Sequence, residues 1–356
     1  MRMPLVSAFS NSGGTTLSRN ALILQLVHGG IEAFSECVTD DKPSSTGEDN
    51  ATALRVIKDS FAGRIRASPP SPGEFLAAVE RFRGNQMAKA AVEMLLWDYA
   101  TKVDGIPLDQ ALGGSKRYAE AGIAIGLGRE GEVRAQVEAA LERGYQRIKV
   151  KVDRKGAFKI LAALRDGFPE VPLSADANAC FELPKDLPAL KRIDRFELQY
   201  LEQPLGFDDL RGHSRLAKEI ATPICLDESV RSLETADMAL EMRAASVINV
   251  KPGRVGGLTV AAEIVRLARA KGAHVWVGGL LETGVGRAFN VALASQTEVD
   301  LPGDTSPNDR YFERDLVKNP FKMRGGRVAP NRGDGIGVEL DRGFFAGVTK
   351  KSWQLF

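Results

Sequence analysis

Two lysines and three acids recur in this chain at a nearly constant interval. Lys151, Asp176, Glu202, Asp227 and Lys251 are separated by 25, 26, 25 and 24 residues. Each stands at or near the C-terminal end of a short apolar segment. The segments are Arg147-Ile-Lys-Val-Lys-Val152, Leu173-Ser-Ala-Asp-Ala-Asn178, Tyr200-Leu-Glu-Gln-Pro-Leu205, Ile224-Cys-Leu-Asp-Glu-Ser229 and Val247-Ile-Asn-Val-Lys-Pro252. A further one, Val275-Trp-Val-Gly-Gly-Leu280, keeps the rhythm without a charge. One strand, one helix and two loops take up about that length, and repeats of this kind build a β/α barrel whose active site lies where the strands end. The spacing therefore points three carboxylates and two amines at one mouth.

Residue types say what such a mouth could do. Side chains in a strand alternate between faces, so Lys149 and Lys151 share a face, with Val150 and Val152 turned towards the helices. Asp176 shares its face with Ser174 and Asn178, and Lys251 with Asn249. Polar groups inside a barrel are unfavourable unless they are paired or bind something. Three converging carboxylates repel one another without a cation. Asp176, Glu202 and Asp227 offer hard oxygens, which suits Mg²⁺, and no Cys or His cluster argues for zinc. Lys151 and Lys251 come from the second and sixth strands, opposite each other in an eight-stranded ring. A lysine beside a metal and a second ammonium is expected to have a lowered pKa, which suits it to act as a base. The chemistry this predicts is removal of the proton α to a metal-bound carboxylate.

The elements that must position these groups fall into two parts. Residues 1–115 lack the 25-residue rhythm. Asn20–Val27 and Ile31–Glu36, around His28-Gly-Gly30, read as a β-hairpin. A polar loop runs from Thr39 to Asn50, and helical patterns cover Thr52–Phe61, Pro72–Phe82 and Gln86–Val103. From Ala121 onward strands and helices alternate. Val133, Val137 and Leu141 mark one helix; Val260, Ile264 and Leu267 are expected to be the buried stripe of another, over Gly257–Lys271. A last barrel strand is expected near Glu298-Val-Asp-Leu301, and the tail from Phe321 should pack back on the first part. The fold class is thus α/β, a modified (β/α)₇β TIM barrel with an α+β capping domain. The expected division is 1–115 for the cap, completed by 310–356, and 116–309 for the barrel. Loops near Ser7–Thr16 and Thr39–Thr46 are expected to close over the mouth.

Composition narrows the partners. With 48 Lys and Arg against 46 Asp and Glu, and no basic stripe with interleaved aromatics, a nucleic-acid partner is not expected. No apolar run reaches the roughly 18–20 residues that span a bilayer, and Met1-Arg-Met-Pro-Leu is no signal-peptide core. Cys37, Cys180 and Cys225 form no close pair, as expected for reduced thiols in a cytoplasmic protein. His274 precedes its strand and should sit at the bottom of the barrel, away from the chemistry. A small-molecule carboxylate is the expected partner, and a homo-oligomer the expected assembly.

The motifs resemble a known family. Lys149-Val-Lys151, Asp176-Ala-Asn178, Leu201-Glu-Gln-Pro204, Leu226-Asp-Glu-Ser229 and Asn249-Val-Lys251 resemble the enolase superfamily, muconate-lactonising subgroup. Gly278–Arg287, Pro302–Phe312 and Asn85–Met94 with Trp97-Asp98 look like its o-succinylbenzoate synthase / N-succinylamino acid racemase branch. The resemblance implies Lys151 and Lys251 as the acid/base pair and Asp176, Glu202 and Asp227 as Mg²⁺ ligands. It implies that Lys149, Asn178 and Glu228 hold those groups from behind. It also implies Arg254, Gly279, Leu280, Thr283 and Phe9 as substrate contacts; an arginine three residues after the second lysine accompanies racemase activity. Ala124 stands where a serine often lies, and Leu280 where a methionine is usual, so the substrate shell departs from the pattern more than the charged groups do. A dipeptide epimerase, a cycloisomerase and a non-catalytic binding paralogue are the alternatives. The first usually shows Asp-x-Asp at the eighth strand, where this chain has Asp300-Leu-Pro302.

Overall fold

A computed structural model of the chain describes residues 1–11, 14–43, 46–65 and 68–356, the side chains of 9–11 and 14 excepted. Its centre is a parallel sheet of seven strands: β1 (Gly122–Ile125), β2 (Arg147–Lys151), β3 (Leu173–Asp176), β4 (Leu201–Glu202), β5 (Ile224–Leu226), β6 (Val247–Val250) and β7 (His274–Val277). The strands neighbour one another in chain order. Parallel neighbours need a crossover, and the helices between them supply it, among them Glu130–Glu142, Ala157–Gly167 and Leu258–Ala270. Ile148, Val150, Ala175, Ile248 and Val250 are buried in the apolar core between sheet and helices. On the inner face of the ring Tyr200 stacks on Trp276 at 5.9 Å between ring centres, and the Arg147 guanidinium lies 4.8 Å from the Trp276 ring.

The eighth member of the ring is a hydrogen-bonded segment rather than a regular strand. Asp300 N and Leu301 N donate to Val275 O, and Asp304 N donates to Val277 O. On its other side Gly303 N donates to Glu120 O and Gly122 N to Gly303 O. The segment therefore joins β7 to β1, centred two or three residues beyond the expected Glu298–Leu301. Pro302 lacks an N–H and breaks the regular ladder.

The cap is α+β. Leu22–His28 pairs antiparallel with Ile31–Cys37, and Gly29 and Gly30 make the turn at φ +58° and +78°, a left-handed conformation that glycine adopts without strain. Helix Gln86–Val103 lies against Ile31–Cys37 and is buried almost all round. A second hairpin, Arg2–Asn11 with Gly14–Asn20, occupies the region read from sequence as a loop over Ser7–Thr16; residues 12 and 13 of that loop lie outside the described residues. Of its described side chains only Met3 and Arg19 are buried, so neither strand shows the one-sided apolar alternation that marks a strand in a sequence. The Thr39–Thr46 loop is described except at 44 and 45.

Two packing details also depart from expectation. In helix Leu258–Ala270 the buried stripe is Leu258, Ala261, Ala262, Ile264, Val265 and Ala268, while Val260 and Leu267 are only half-buried. Small alanines face the sheet closely here, so the stripe is turned from the one the larger side chains suggested. The tail forms strand Met323–Arg324, which pairs with Arg327–Val328, which in turn pairs with Ala119–Glu120, and a further helix, Arg342–Val348. It touches the cap as well: Leu108 N donates to Gly335 O, Ile336 N to Asp98, and Arg342 pairs with Glu32.

Candidate active site

Strand register brings the spaced charges together. In the parallel ladder Lys151 lies opposite Asp176, and Asp176 opposite Glu202. Each ends its strand, and the inward alternation places Lys149 one step below Lys151. Asp227 follows β5 and Lys251 follows β6, both buried. Lys151 and Lys251 are four strands apart in sheet order, hence on opposite sides of the ring.

Each lysine is held by its own carboxylate. Lys151 Nζ donates to Asp176 Oδ2 at 2.6 Å and to Asn178 Oδ1 at 2.8 Å. Lys251 Nζ donates to Asp227 Oδ2 at 2.8 Å. Lys149 Nζ sits among three acids, 2.8 Å from Glu202, 3.1 Å from Asp304 and 3.6 Å from Asp176. Arg254 pairs with the other oxygen of Asp227 and is buried. Asn178, in the left-handed region at φ +40°, links the two sides by donating to Glu228 Oε1 at 3.1 Å. Gln203 accepts from Asp227 N and Ser229 N and so fixes the loop that carries Asp227 and Glu228. At Gly278 any side chain would meet Lys251 Cε at 2.5 Å, so the glycine leaves that lysine its room.

The electrostatics follow from these contacts. Burial pushes the Glu202 carboxyl up to about 8, helped by Asp176 and Asp227 and opposed by Lys149. Burial also favours the neutral form of Asp227, but Arg254 and Lys251 outweigh it and hold that carboxyl well below its usual range. Burial pulls Lys149 and Lys151 down; for Lys149 the acids Asp304, Glu202 and Asp176, and for Lys151 chiefly Asp176, more than reverse this. Lys151 is thus held above its ordinary value by the protein's own groups. The carboxylate at 2.6 Å counts for more here than the neighbouring Lys149 ammonium, and the lowering expected from sequence belongs to the site with a cation bound.

The oxygens suit a hard divalent cation. Glu202 Oε2, Glu228 Oε2 and Asn249 Oδ1 are buried and accept no hydrogen bond, although Lys149 Nζ stands 2.8 Å from the first. Buried oxygens without a donor are rare in proteins and call for a partner. A carboxyl pushed to about 8 by burial and, after that, by neighbouring acids regains its charge when positive charge arrives among them. Among the described residues no three acids, histidines or cysteines already stand as a metal cage; the carboxylates turn instead towards Lys149, Lys151, Lys251 and Arg254.

The remaining substrate candidates are scattered. Leu280 lines a cavity large enough for about one water between Lys251, Val38, Glu282 and Asn290. Gly279 packs near Glu282 and the Asp304 backbone. Thr283 is buried, with both its N–H and its hydroxyl donating to Glu36 of the cap at 2.9 and 2.7 Å. Phe9 lies in strand Arg2–Asn11, and its side chain is outside the described part. Sequence reasoning missed Asp304, which holds both Lys149 and Arg147. It lies in the Pro302–Phe312 motif but follows a proline and sits in no regular strand, so no alternation marked it.

Comparison with known proteins agrees with this architecture. Residues 2–113 match the model of the mandelate racemase / muconate lactonizing enzyme N-terminal domain, and residues 132–344 that of the enolase C-terminal domain-like family. The chain belongs to the enolase superfamily. It is 40% identical to an N-succinylamino acid racemase of Thermus thermophilus, covering 100% of this chain and 96% of that one. It is 38% identical to an o-succinylbenzoate synthase of Bacillus subtilis, covering 96% and 92%. The solved structure of an enolase-superfamily member from Listeria innocua superposes with a TM-score of 0.95 at 34% identity, covering 98% of this chain and 95% of that one. Relatedness to active members of this superfamily supports an enzyme rather than a silent paralogue. Among the described residues no helix is long and apolar enough to cross a membrane.

Proposed function

We propose that this enzyme removes the proton α to a carboxylate, acting as an o-succinylbenzoate synthase, an N-succinylamino acid racemase, or both. The observation that carries this reading is the pair of buried ammonium groups, Lys151 and Lys251, on opposite sides of one ring with acids between them. A substrate carbon held there has an amine on each face. Lys151 takes the α-proton, and Asn178 and Asp176 hold its Nζ in line. In a dehydration the same amine then delivers its proton to the departing hydroxide, and Lys251 stays charged over the developing negative charge. In a racemisation Lys251 gives a proton to the face opposite the one Lys151 deprotonates, and the two roles exchange in the reverse direction.

Asp176, Glu202 and Asp227 are the groups that would hold Mg²⁺, with Lys149, Asn249 and Glu228 behind them. Bound there, the cation supplies positive charge for the substrate carboxylate as its α-proton leaves. Arg254 favours retaining the racemase reading, because it lies against Asp227 inside the site rather than out on the rim. Enzyme assay with the cyclohexadiene precursor and with N-succinyl amino acids, compared as kcat/KM, tests the proposal. Turnover of neither substrate class overturns it, and the ratio assigns the main activity. Asp227→Asn should weaken Mg²⁺ binding about tenfold or more in calorimetry, and unchanged affinity removes Asp227 from the ligand set.

A further inference from the structure

A basic cleft lies at the other end of the barrel from the lysines. This open cleft has a volume of about 680 Å³ between Arg117–Tyr118 and the tail segment 318–331, within the roughly 300–1,000 Å³ of small-molecule sites. Its place is set by the tail strands Met323–Arg324 and Arg327–Val328. The second of them pairs with Ala119–Glu120, which leads into the N-terminal end of β1, whereas Lys151 and the acids stand where strands end.

Five cations line the cleft, Arg117, Lys318, Lys322, Arg324 and Arg327, and no Asp or Glu is among its lining residues. In a chain with 48 basic and 46 acidic residues this is a local excess. Neighbouring acids neutralise part of it. Lys318 pairs with Glu339, and Arg327 stands 3.9 Å from Glu120. Among the described residues Arg117, Lys322 and Arg324 make no ion pair, and all three are exposed. The Arg327 guanidinium lies 4.1 Å from the centre of the Tyr118 ring, which limits its freedom. Asn331 also lines the cleft, half-buried.

We propose that this cleft binds the di- or triphosphate group of a small molecule. Arginine forks and lysine ammoniums are the side chains that hold phosphate oxygens. Its volume suits one compact polyanion rather than a strand that must track along a groove. Inorganic pyrophosphate and ADP share this chemistry and differ in the nucleoside. Calorimetric titration of the full-length protein, without added Mg²⁺ and at about 0.1 M salt, tests both probes; exposed charges more than about 10 Å apart are screened there. Saturable binding of either supports the proposal, and tighter binding of ADP adds the nucleoside to what is recognised.

The double variant K322E/R324E should weaken that binding at least about tenfold, while Lys218→Glu, an exposed reversal elsewhere, should leave it unchanged. Turnover at the strand-end site and the melting temperature show that the double variant is folded. Where it does not fold, Lys322→Ala replaces it, with a loss of about threefold. Absence of saturable binding by both probes overturns the proposal. So does equal affinity in the folded variant, which would place the anion somewhere else.

Discussion

Buried acids occupy two regions of this molecule, and their partners differ. At the interface of cap and barrel, acids meet backbone N–H groups at helix starts. Glu93 of helix Gln86–Val103 accepts from Leu258 N, Thr259 N and the Thr259 hydroxyl, at the first turn of helix Leu258–Ala270. Glu36 accepts from Thr283 N and Gly286 N, where helix Gly284–Ala294 begins. Glu48 does the same for Met87 N and Ala88 N within the cap. These are capping contacts made across long sequence separations, and they fill donors that a helix leaves unpaired. At the strand ends Asp176, Glu202 and Asp227 face ammonium and guanidinium groups. Burial and a raised carboxyl pKa are common to Glu36, Glu93 and Glu202, so neither feature marks the site. What separates the two sets is whether fixed dipoles or movable charges complete them.

Removing one group from each region tests that distinction. Lys151→Ala should lower turnover at least about 10³-fold with folding and metal binding retained; retained turnover would detach the base from Lys151. Lys251→Ala should remove racemisation. Glu93→Ala should act in the opposite sense, on stability. It leaves Leu258 N and Thr259 N unpaired in a buried interface, for a loss of about 2–4 kcal/mol in urea unfolding. A Glu93 variant that unfolds no more easily yet loses its chemistry would erase the contrast between the regions.

The smallest effect belongs to pH. Burial pushes the Glu36 carboxyl from 4.5 up to about 7, opposed by Arg19 and Thr283 and assisted by Glu282. The folded chain therefore binds this proton more tightly than the unfolded chain. Its stabilising contribution is complete below about pH 4.5 and is lost as pH rises through about 7. Glu36→Gln keeps an acceptor for Thr283 and Gly286. It should flatten the fall of the melting temperature between about pH 5 and 8, a difference of roughly 2–3 kcal/mol at the alkaline end. Parallel curves for the two proteins would show that Glu36 stays ionised in the fold.

The barrel was legible because its signal is local and repeated. Each strand-end residue carries its own apolar run, and register alone then sets Lys151 beside Asp176 and Asp176 beside Glu202. Helix Gln86–Val103 was legible down to its ends, with Gly105 at φ +66° just beyond it. The hairpin Arg2–Asn11 was not, because solvent on both faces removes the alternation that betrays a strand. Asp304 and Glu36 escaped for another reason. Their partners, Lys149 and Thr283, are 155 and 247 residues away, and no periodicity within a window can pair positions so distant.

The Glu93 contact also constrains what evolution or an engineer can exchange. Gly257 has φ +126°, and a methyl group there would collide with the Glu93 carboxylate. Positions 93 and 257 are therefore tied together although they lie in different halves of the chain. A cap grafted onto a foreign barrel arrives with an acid reaching for a helix start that must offer a bare backbone. A shuffle of the halves keeps this joint only where both positions travel together.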